Sequence, residues 1–382
     1  MKAVILAAGE GRRLKPLTNR RPKPILSVAG KPLLEYVVEA TRDAGITDIV
    51  LVVGYRRDRI QTHFGDGDDW GVSIEYAVQD NQLGTGHAVL QAADRVDDPF
   101  VVLNGDQLVD ADGIAAVAES LGSGDDRAVM TVARSSAPQR YGVVHLEGER
   151  AVDIEEKPTE VFNAGIYGFA PSVFDAIRAT DADADGELAI TDVLQRLIPD
   201  DEVRTVRYRG TWTDVTHLWD VTRVTGEVLD RTGGRDEGVR ESGASVADAT
   251  HVGRDSRVGA NATVRRGTSL GDNVTVGANA VLTNSVVLAD ATVGDGAVLE
   301  DSVVAENAHV GANVTVAGGP ADVVVEGQYH EAVPLGAVVG DNARVEGGAT
   351  LAPGTVVGDD ATVAAGAVVR GTVPPGTEVR RG

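Results

Sequence analysis

The sequence predicts two architectures in tandem: an α/β unit on a mostly parallel sheet, then an all-β parallel β-helix. Three observations carry this. Short apolar runs alternate with amphipathic stretches through the first half of the chain. From residue 246 onward an apolar residue returns every six positions. The aromatic residues stop where that repeat starts: all five Phe, all three Trp and six of seven Tyr precede it, leaving Tyr329 alone. The seam is the polar, Gly-rich stretch at 230–245, which sets the expected domains at 1–235 and 245–382.

In the first domain residues 2–8 read as a buried strand, and a Gly-rich turn follows at Gly9, Glu10 and Gly11. Leu33, Leu34, Val37, Val38 and Ala40 have helical spacing, and Ile49–Val53 reads as the next strand. A helix is expected after Gly84-Thr85-Gly86, then a strand at Phe100–Leu103 that ends in Asn104-Gly105-Asp106. Residues 113–121 read as a helix and 128–133 as a strand. Strands that alternate with helices build a parallel sheet covered on both faces, and ligands then lie beyond the carboxyl ends of the strands. Both Gly9–Arg13 and Asp106 fall at such ends.

In the second domain Val246, Val252, Val258, Val264, Leu270, Val276, Leu282 and Leu288 keep the six-residue step. After a slip, Val298, Val304, Val310 and Val316 resume it, and Val339, Val345, Leu351, Val357, Val363 and Val369 close the series. A helix needs 3.6 spacing, and the β-branched, Gly-rich composition opposes one. The pattern resembles the left-handed hexapeptide β-helix, in which three hexapeptides make a turn with three flat faces. Residues 317–338 interrupt the repeat and read as a loop or hairpin leaving the coil.

The net charge of −23 argues against nucleic acid or an anionic membrane as partner. No apolar run reaches membrane-spanning length, and with no Cys there is neither a disulfide framework nor a thiolate metal site, so a cytoplasmic protein is expected. Only five residues are Lys, at positions 2, 15, 23, 31 and 157. Scarce Lys with surplus Asp and Glu reads as adaptation to high salt and makes each remaining Lys a candidate for a site role.

Against that acidic background Arg12, Arg13, Lys15, Arg20, Arg21 and Lys23 crowd one loop after a strand, an arrangement suited to phosphate. The loop lacks the third Gly of a dinucleotide fingerprint, and no GK[ST] follows. The full string LAAGEGRRLKPLT, then RPKP at 21–24, resembles the signature of sugar-1-phosphate nucleotidylyltransferases, with Arg12 where that family usually has Thr. The resemblance implies a Rossmann-like nucleotidyltransferase domain, with Leu6, Ala7, Ala8, Gly9 and Gly11 on the nucleotide and Arg13 and Lys23 as catalytic cations.

Further motifs of the family recur in order. Gln79-Asp80-Asn81-Gln82-Leu83-Gly84-Thr85-Gly86-His87-Ala88 resembles the nucleobase segment of enzymes that use UTP, and implies Gln79, Gly84 and Thr85 as base contacts. Asp106 of Asn104-Gly105-Asp106 and Asp214 of Trp212-Thr213-Asp214-Val215 match the family's Mg²⁺ carboxylates. Tyr141-Gly142-Val143-Val144, Glu155-Glu156-Lys157-Pro158 and Asn163-Ala164-Gly165-Ile166-Tyr167 match the sugar-phosphate segments, implying Gly142, Glu155, Glu156, Lys157 and Asn163. Asp181-x-Asp183-x-Asp185-Gly186 imitates a calcium loop but lacks the final Glu, and reads instead as a solvated acidic loop.

The implied reaction takes UTP or dTTP and a sugar 1-phosphate, glucose or N-acetylglucosamine, to a nucleotide-sugar and pyrophosphate. Bifunctional relatives use the β-helix as an acetyltransferase, but here Asp295 and Val298 stand where its His and Tyr are expected, and the second domain has no Lys. A β-helix that oligomerises or regulates is the expectation, the homo-oligomer being by resemblance a trimer. A non-catalytic nucleotide-sugar sensor is the third reading; such a protein would be free to lose Arg13, Lys23, Asp106 and Asp214.

Overall fold

A computed structural model of the chain describes residues 1–122, 127–134, 143–147, 150–155, 161–184, 186–200 and 202–381. They form two compact units that interleave along the sequence. One gathers Met1–Glu10, Pro22–Ile25 and Leu33–Asp214; the other gathers Gly11–Arg21, Leu26–Pro32 and Val215–Gly382.

Strands in the first half are β1 (Lys2–Ala7), β2 (Ser27–Val28), β3 (Lys31–Pro32), β4 (Asp48–Val53), β5 (Ser73–Val78), β6 (Phe100–Asn104) and β7 (Gln107–Val109). They continue as β8 (Ala128–Arg134), β9 (Val143–Glu147), β10 (Arg150–Glu155), β11 (Val161–Phe169), β12 (Val203–Arg207) and β13 (Trp212–Asp214). The helices are α1 (Leu33–Asp43), α2 (Arg57–Phe64), α3 (Thr85–Leu90), α4 (Ala111–Gly122), α5 (Val173–Ala179), α6 (Ile190–Leu197) and α7 (Leu218–Thr232).

The first unit is a nine-stranded sheet in the order β5-β4-β1-β6-β11-β8-β12-β10-β9. Its β5-β4-β1-β6 half is parallel, as expected, whereas β11 enters antiparallel between β6 and β8 and makes the whole sheet mixed. Both faces are covered, so β1 is apolar from Ala3 to Ala7 instead of alternating with polar residues. Val4 packs among Phe100, Phe169 and Phe174 on one face, while Ala3 and Ile5 pack with Leu34, Val37 and Ile114 on the other. The parallel half directs the ends of β1, β4, β5 and β6 to one edge, where its ligands are expected.

The second unit contains the left-handed β-helix, three parallel sheets of eight, eight and seven short strands. One inward column runs Val252, Leu270, Val287, Val304, Val339, Val357 and Val373 by register. Two positions of the expected repeat are thereby corrected. The inward residue is Val287 instead of Leu288, and Leu299 instead of Val298, because the chain steps only five residues from Leu282 to Val287 and from Leu299 to Val304. Leu288 misled because it is apolar and buried too, but outside this core. Asn and Asp at the corners, among them Asn261, Asn279, Asn307 and Asn342, adopt positive φ, which their short polar side chains tolerate. The interruption is a hairpin, Pro320–Val325 paired with Gln328–Pro334.

The corrected register gives a direct test. Leu299→Ala, fully buried, is expected to cost about 2–5 kcal/mol in chemical denaturation, and Val298→Ala, 39% exposed, much less. Equal losses would contradict the assignment.

At the start of α7 the Asp220 carboxylate accepts the Thr216 and His217 backbone N–H groups at 3.1 and 2.8 Å and the Arg223 guanidinium at 3.0 Å. Burial pushes this carboxyl up, but the bonds from His217 and the Arg223 charge outweigh burial and hold it at about 2. A depressed carboxylate stabilises the fold above its unfolded value near 3.9 and loses that contribution as pH falls toward 2. Asp220→Asn should therefore cost about 2–3 kcal/mol at pH 7 and progressively less across pH 4 to 2. A cost independent of pH across that window, measured by denaturant titration, would contradict the assignment.

Candidate active site

The site is built at the carboxyl edge of the parallel half-sheet. After β1 the Ala8 carbonyl accepts the Tyr55 N–H at 3.2 Å and the Gln82 side-chain amide at 3.0 Å. These bonds tie the ends of β1 and β4 to the segment that follows β5. Leu6 is half-buried, Ala7 and Ala8 are buried, and the space a Cβ would take at Gly9 is open.

Gln79, 4% exposed, donates its amide to the Gly84 carbonyl at 3.1 Å and meets the His87 ring at 3.0 Å. The 84–86 turn is braced from behind by the acidic loop: Gly86 N–H bonds Leu188 O at 2.8 Å, and Ile190 N–H bonds the Thr85 hydroxyl at 2.9 Å. Gly84 has φ +93°, and a Cβ there would lie 2.4 Å from Leu188 O. The loop that imitated a calcium site closes on itself, with Asp183 accepting the Glu187 N–H at 2.8 Å, while Asp192 caps α6 through Ala189 N–H at 3.0 Å.

Gly105 lets the chain pass tight against β1. Its N–H bonds Leu6 O at 2.8 Å, and a Cβ would sit 2.9 Å from that same oxygen. The turn sets Asp106 beyond the sheet edge, where Lys23, on the single turn Lys23–Ile25, donates its ammonium to the carboxylate. Lys23 is largely buried and Asp106 partly so. Asp214 arrives from about a hundred residues away because β13 pairs with β7, which puts Asp214 opposite Gln107, the residue after Asp106.

Sequence reasoning missed the brace behind that pairing. The Asp110 carboxylate accepts Thr211 N–H at 2.6 Å, the Tyr208 hydroxyl accepts Asp110 N–H at 2.9 Å, and the same hydroxyl donates to Thr211 O. No local motif marks Asp110, Tyr208 and Thr211, since their roles arise only when β7 and β13 meet.

Asn163 sits where the β11 register shifts, bonding the Tyr167 hydroxyl at 2.8 Å and accepting Gly165 N–H at 3.0 Å. Burial pushes the Tyr167 phenol up to about 12 despite Asn163, so it stays protonated. Trp212 donates to Ala164 O at 2.6 Å, joining this segment to the strand that carries Asp214. Gly142, Glu156 and Lys157 lie outside the described residues, and for Glu155 only its place at the end of β10 is described.

The remaining cations belong to the second unit. Arg13 is exposed on the turn Arg12–Leu14, which starts at Gly11 with φ +70°. Two of the six basic residues expected at phosphate are engaged elsewhere: Arg20 pairs with Asp360 at 2.5 Å and Arg21 with Asp341 at 2.7 Å.

Comparison with known proteins decides the family, since the nucleotidyl transferase family matches residues 2–231. The chain belongs to the nucleotidyl transferase family. The GMPPB C-terminal domain matches residues 246–381 of this nucleotidyl transferase. It is 38% identical over 262 residues to the low-salt glycan biosynthesis nucleotidyltransferase Agl11 of Haloferax volcanii, covering 66% of this chain and 72% of Agl11. It is 35% identical to a glucose-1-phosphate thymidylyltransferase of Streptomyces antibioticus, covering 68% of this chain and 74% of that one. To the bifunctional protein GlmU of Methanocaldococcus jannaschii it is 36% identical, over 60% of this chain but only 55% of GlmU. A solved Bacillus anthracis structure, assigned as a glucose-1-phosphate thymidylyltransferase and bound to a sucrose, superposes with TM-score 0.56 at 30% identity, covering 62% of this chain and 98% of that one. Among the described residues no helix is long and apolar enough to cross a membrane.

Proposed function

We propose that this protein transfers a nucleotidyl group from UTP or dTTP to glucose 1-phosphate or N-acetylglucosamine 1-phosphate, releasing pyrophosphate. The observation that carries the reading is the Lys23–Asp106 pair at the carboxyl edge of the parallel strands, with Asp214 opposite the following residue, Gln107, in the β7–β13 ladder. A sugar phosphate is already an anionic nucleophile, so the site needs no general base. It needs alignment for in-line attack on the α-phosphorus and neutralisation of two approaching anions.

Lys23 supplies a point charge and Arg13 a planar fork suited to phosphate oxygens. Asp106 already holds a cationic group and is partly open to solvent, and Asp214 stands opposite its chain neighbour Gln107; one or two carboxylates completed by phosphate oxygens are what Mg²⁺ takes. Asp106 and Asp214 would hold the ion, which when bound supplies charge neutralisation across the phosphates. Gln79 is read as a base contact through its side-chain oxygen, its amide N–H groups being held by Gly84 and His87, and the Gly84-Thr85-Gly86-His87-Ala88 run favours UTP. Asn163, oriented by Tyr167, faces the sugar-phosphate role.

The β-helix is read as an assembly element, a trimerisation module, in preference to an acetyltransferase. Asp295 accepts the Ala278 N–H at 2.8 Å across adjacent coils, a structural bond, and Val298 is an outward aliphatic residue with no acid–base chemistry. Purified protein assayed for pyrophosphate release with each NTP and a panel of sugar 1-phosphates, with and without acetyl-CoA, tests the reading. Release with UTP or dTTP and one of the two named sugars supports it; no release with any pair overturns it.

A further inference from the structure

Arg21 stands two residues before Lys23, yet its guanidinium is turned away from phosphate chemistry. It is 4% exposed. Its Nη1 donates to the Leu17 carbonyl at 2.8 Å, and its Nη2 lies 2.7 Å from Asp341 and 3.0 Å from Glu306. Asn19 donates to Asp359 at 2.8 Å, and Arg20 pairs with Asp360. Arg21, Asn19, Arg20 and the partners of all three belong to the second unit.

The β-helix creates a need for that cation. Val304, Val339 and Val357 stack by register, so the positions two residues further on, Glu306, Asp341 and Asp359, form one corner of three successive coils. Adjacent strands lie about 4.8 Å apart, which stacks three carboxylates in a column. Backbone bonds knit the column: Asp341 accepts Glu306 N–H at 3.0 Å, and Asp359 accepts Asp341 N–H at 2.9 Å. Asp341 is only 2% exposed, and its second carboxylate oxygen is buried without a hydrogen-bond partner. Burial, with the Asp359 and Glu306 charges, holds its carboxyl above the ordinary value even beside Arg21. A buried carboxylate in such a stack has to be matched by a cation, and Arg21 is the one in contact.

We propose that Arg21 is a positioning residue for nucleotidyl transfer, clamping segment 11–21, which carries Arg13, onto the acidic corner formed by Glu306, Asp341 and Asp359. This rests on the reading of Arg13 as a phosphate-binding residue. The guanidinium fork fixes the segment from two sides, through its own Leu17 carbonyl and through the coil carboxylates. The β-helix thus takes part in the transfer reaction by ordering the loop, with no chemistry of its own.

Arg21→Ala and Asp341→Asn in the full chain are each expected to raise amide hydrogen exchange across 11–21 and to lower kcat about 100-fold, with a smaller change in KM for sugar 1-phosphate. The double variant should be no worse than the worse single one, since both break one clamp. Arg21→Lys, which keeps the charge but loses the fork, should recover part of the rate. Arg20→Ala, at an exposed pair, should stay within about 2-fold of the parent. Should Arg21→Ala fail to fold, Asp341→Asn and Glu306→Gln give the same readouts. Unchanged exchange at 11–21, or additive losses in the double variant, overturns the clamp. A parent chain that makes no nucleotide-sugar overturns the functional reading instead, and the exchange result then decides the clamp alone.

Discussion

Lys23→Ala is expected to lower pyrophosphate release by about 100- to 1000-fold, the loss typical when one preorganised charge-stabilising group is removed, with far-UV and near-UV circular dichroism unchanged. Lys23 lies on a single turn, and its ammonium is the group paired with Asp106. Its loss removes a positive charge from the place where a triphosphate and a sugar phosphate are read to meet, and leaves Asp106 with less compensation. The turn that carries it is closed by the Ile25 N–H on the Pro22 carbonyl at 3.0 Å and packs through the buried Pro24, so its backbone does not rest on the Lys23 ammonium. Arg13→Ala is expected to behave alike, because Arg13 is exposed and contributes no core. Release near the parent rate from either variant would contradict its role.

Asp106→Asn and Asp214→Asn form the second pair of large effects. Each is expected to raise the Mg²⁺ concentration needed for half-maximal rate by at least about 10-fold, since even groups that only orient metal ligands carry that much. Excess Mg²⁺ should restore part of the rate in either single variant and little in the double. The register is the basis for expecting a shared effect: Asp214 stands opposite Gln107, the residue after Asp106. A Mg²⁺ titration that matches the parent curve in Asp214→Asn would remove that residue from the site.

Much of this was legible in the sequence because the signals were periodic or contiguous. The six-residue step located the β-helix, since each coil repeats the same demand for an apolar residue inside and a short polar one at the corner. It failed by one position at Leu288 and at Val298 because a coil shortened by one residue leaves apolar residues on both sides of the slip. The parallel half-sheet was readable from its apolar runs; the antiparallel insertion of β11 was not, because strand order is a property of pairing across distant segments. The same limit applies at the site. Asn104-Gly105-Asp106 announced itself, whereas Asp110 and Tyr208 act only after β7 and β13 join. Arg21 looked like one more phosphate ligand in a basic loop. Its partners, Glu306 and Asp341, are about three hundred residues away and are called up by the stacking of coils.

The fate of label from the nucleotide tests the central claim most directly. With glucose 1-phosphate or N-acetylglucosamine 1-phosphate and UTP or dTTP labelled at either the α- or the γ-phosphorus, the account predicts α-label in the nucleotide-sugar and γ-label in pyrophosphate, in equal amounts. Label from the γ position in inorganic phosphate, with none from the α position in a sugar product, would contradict it.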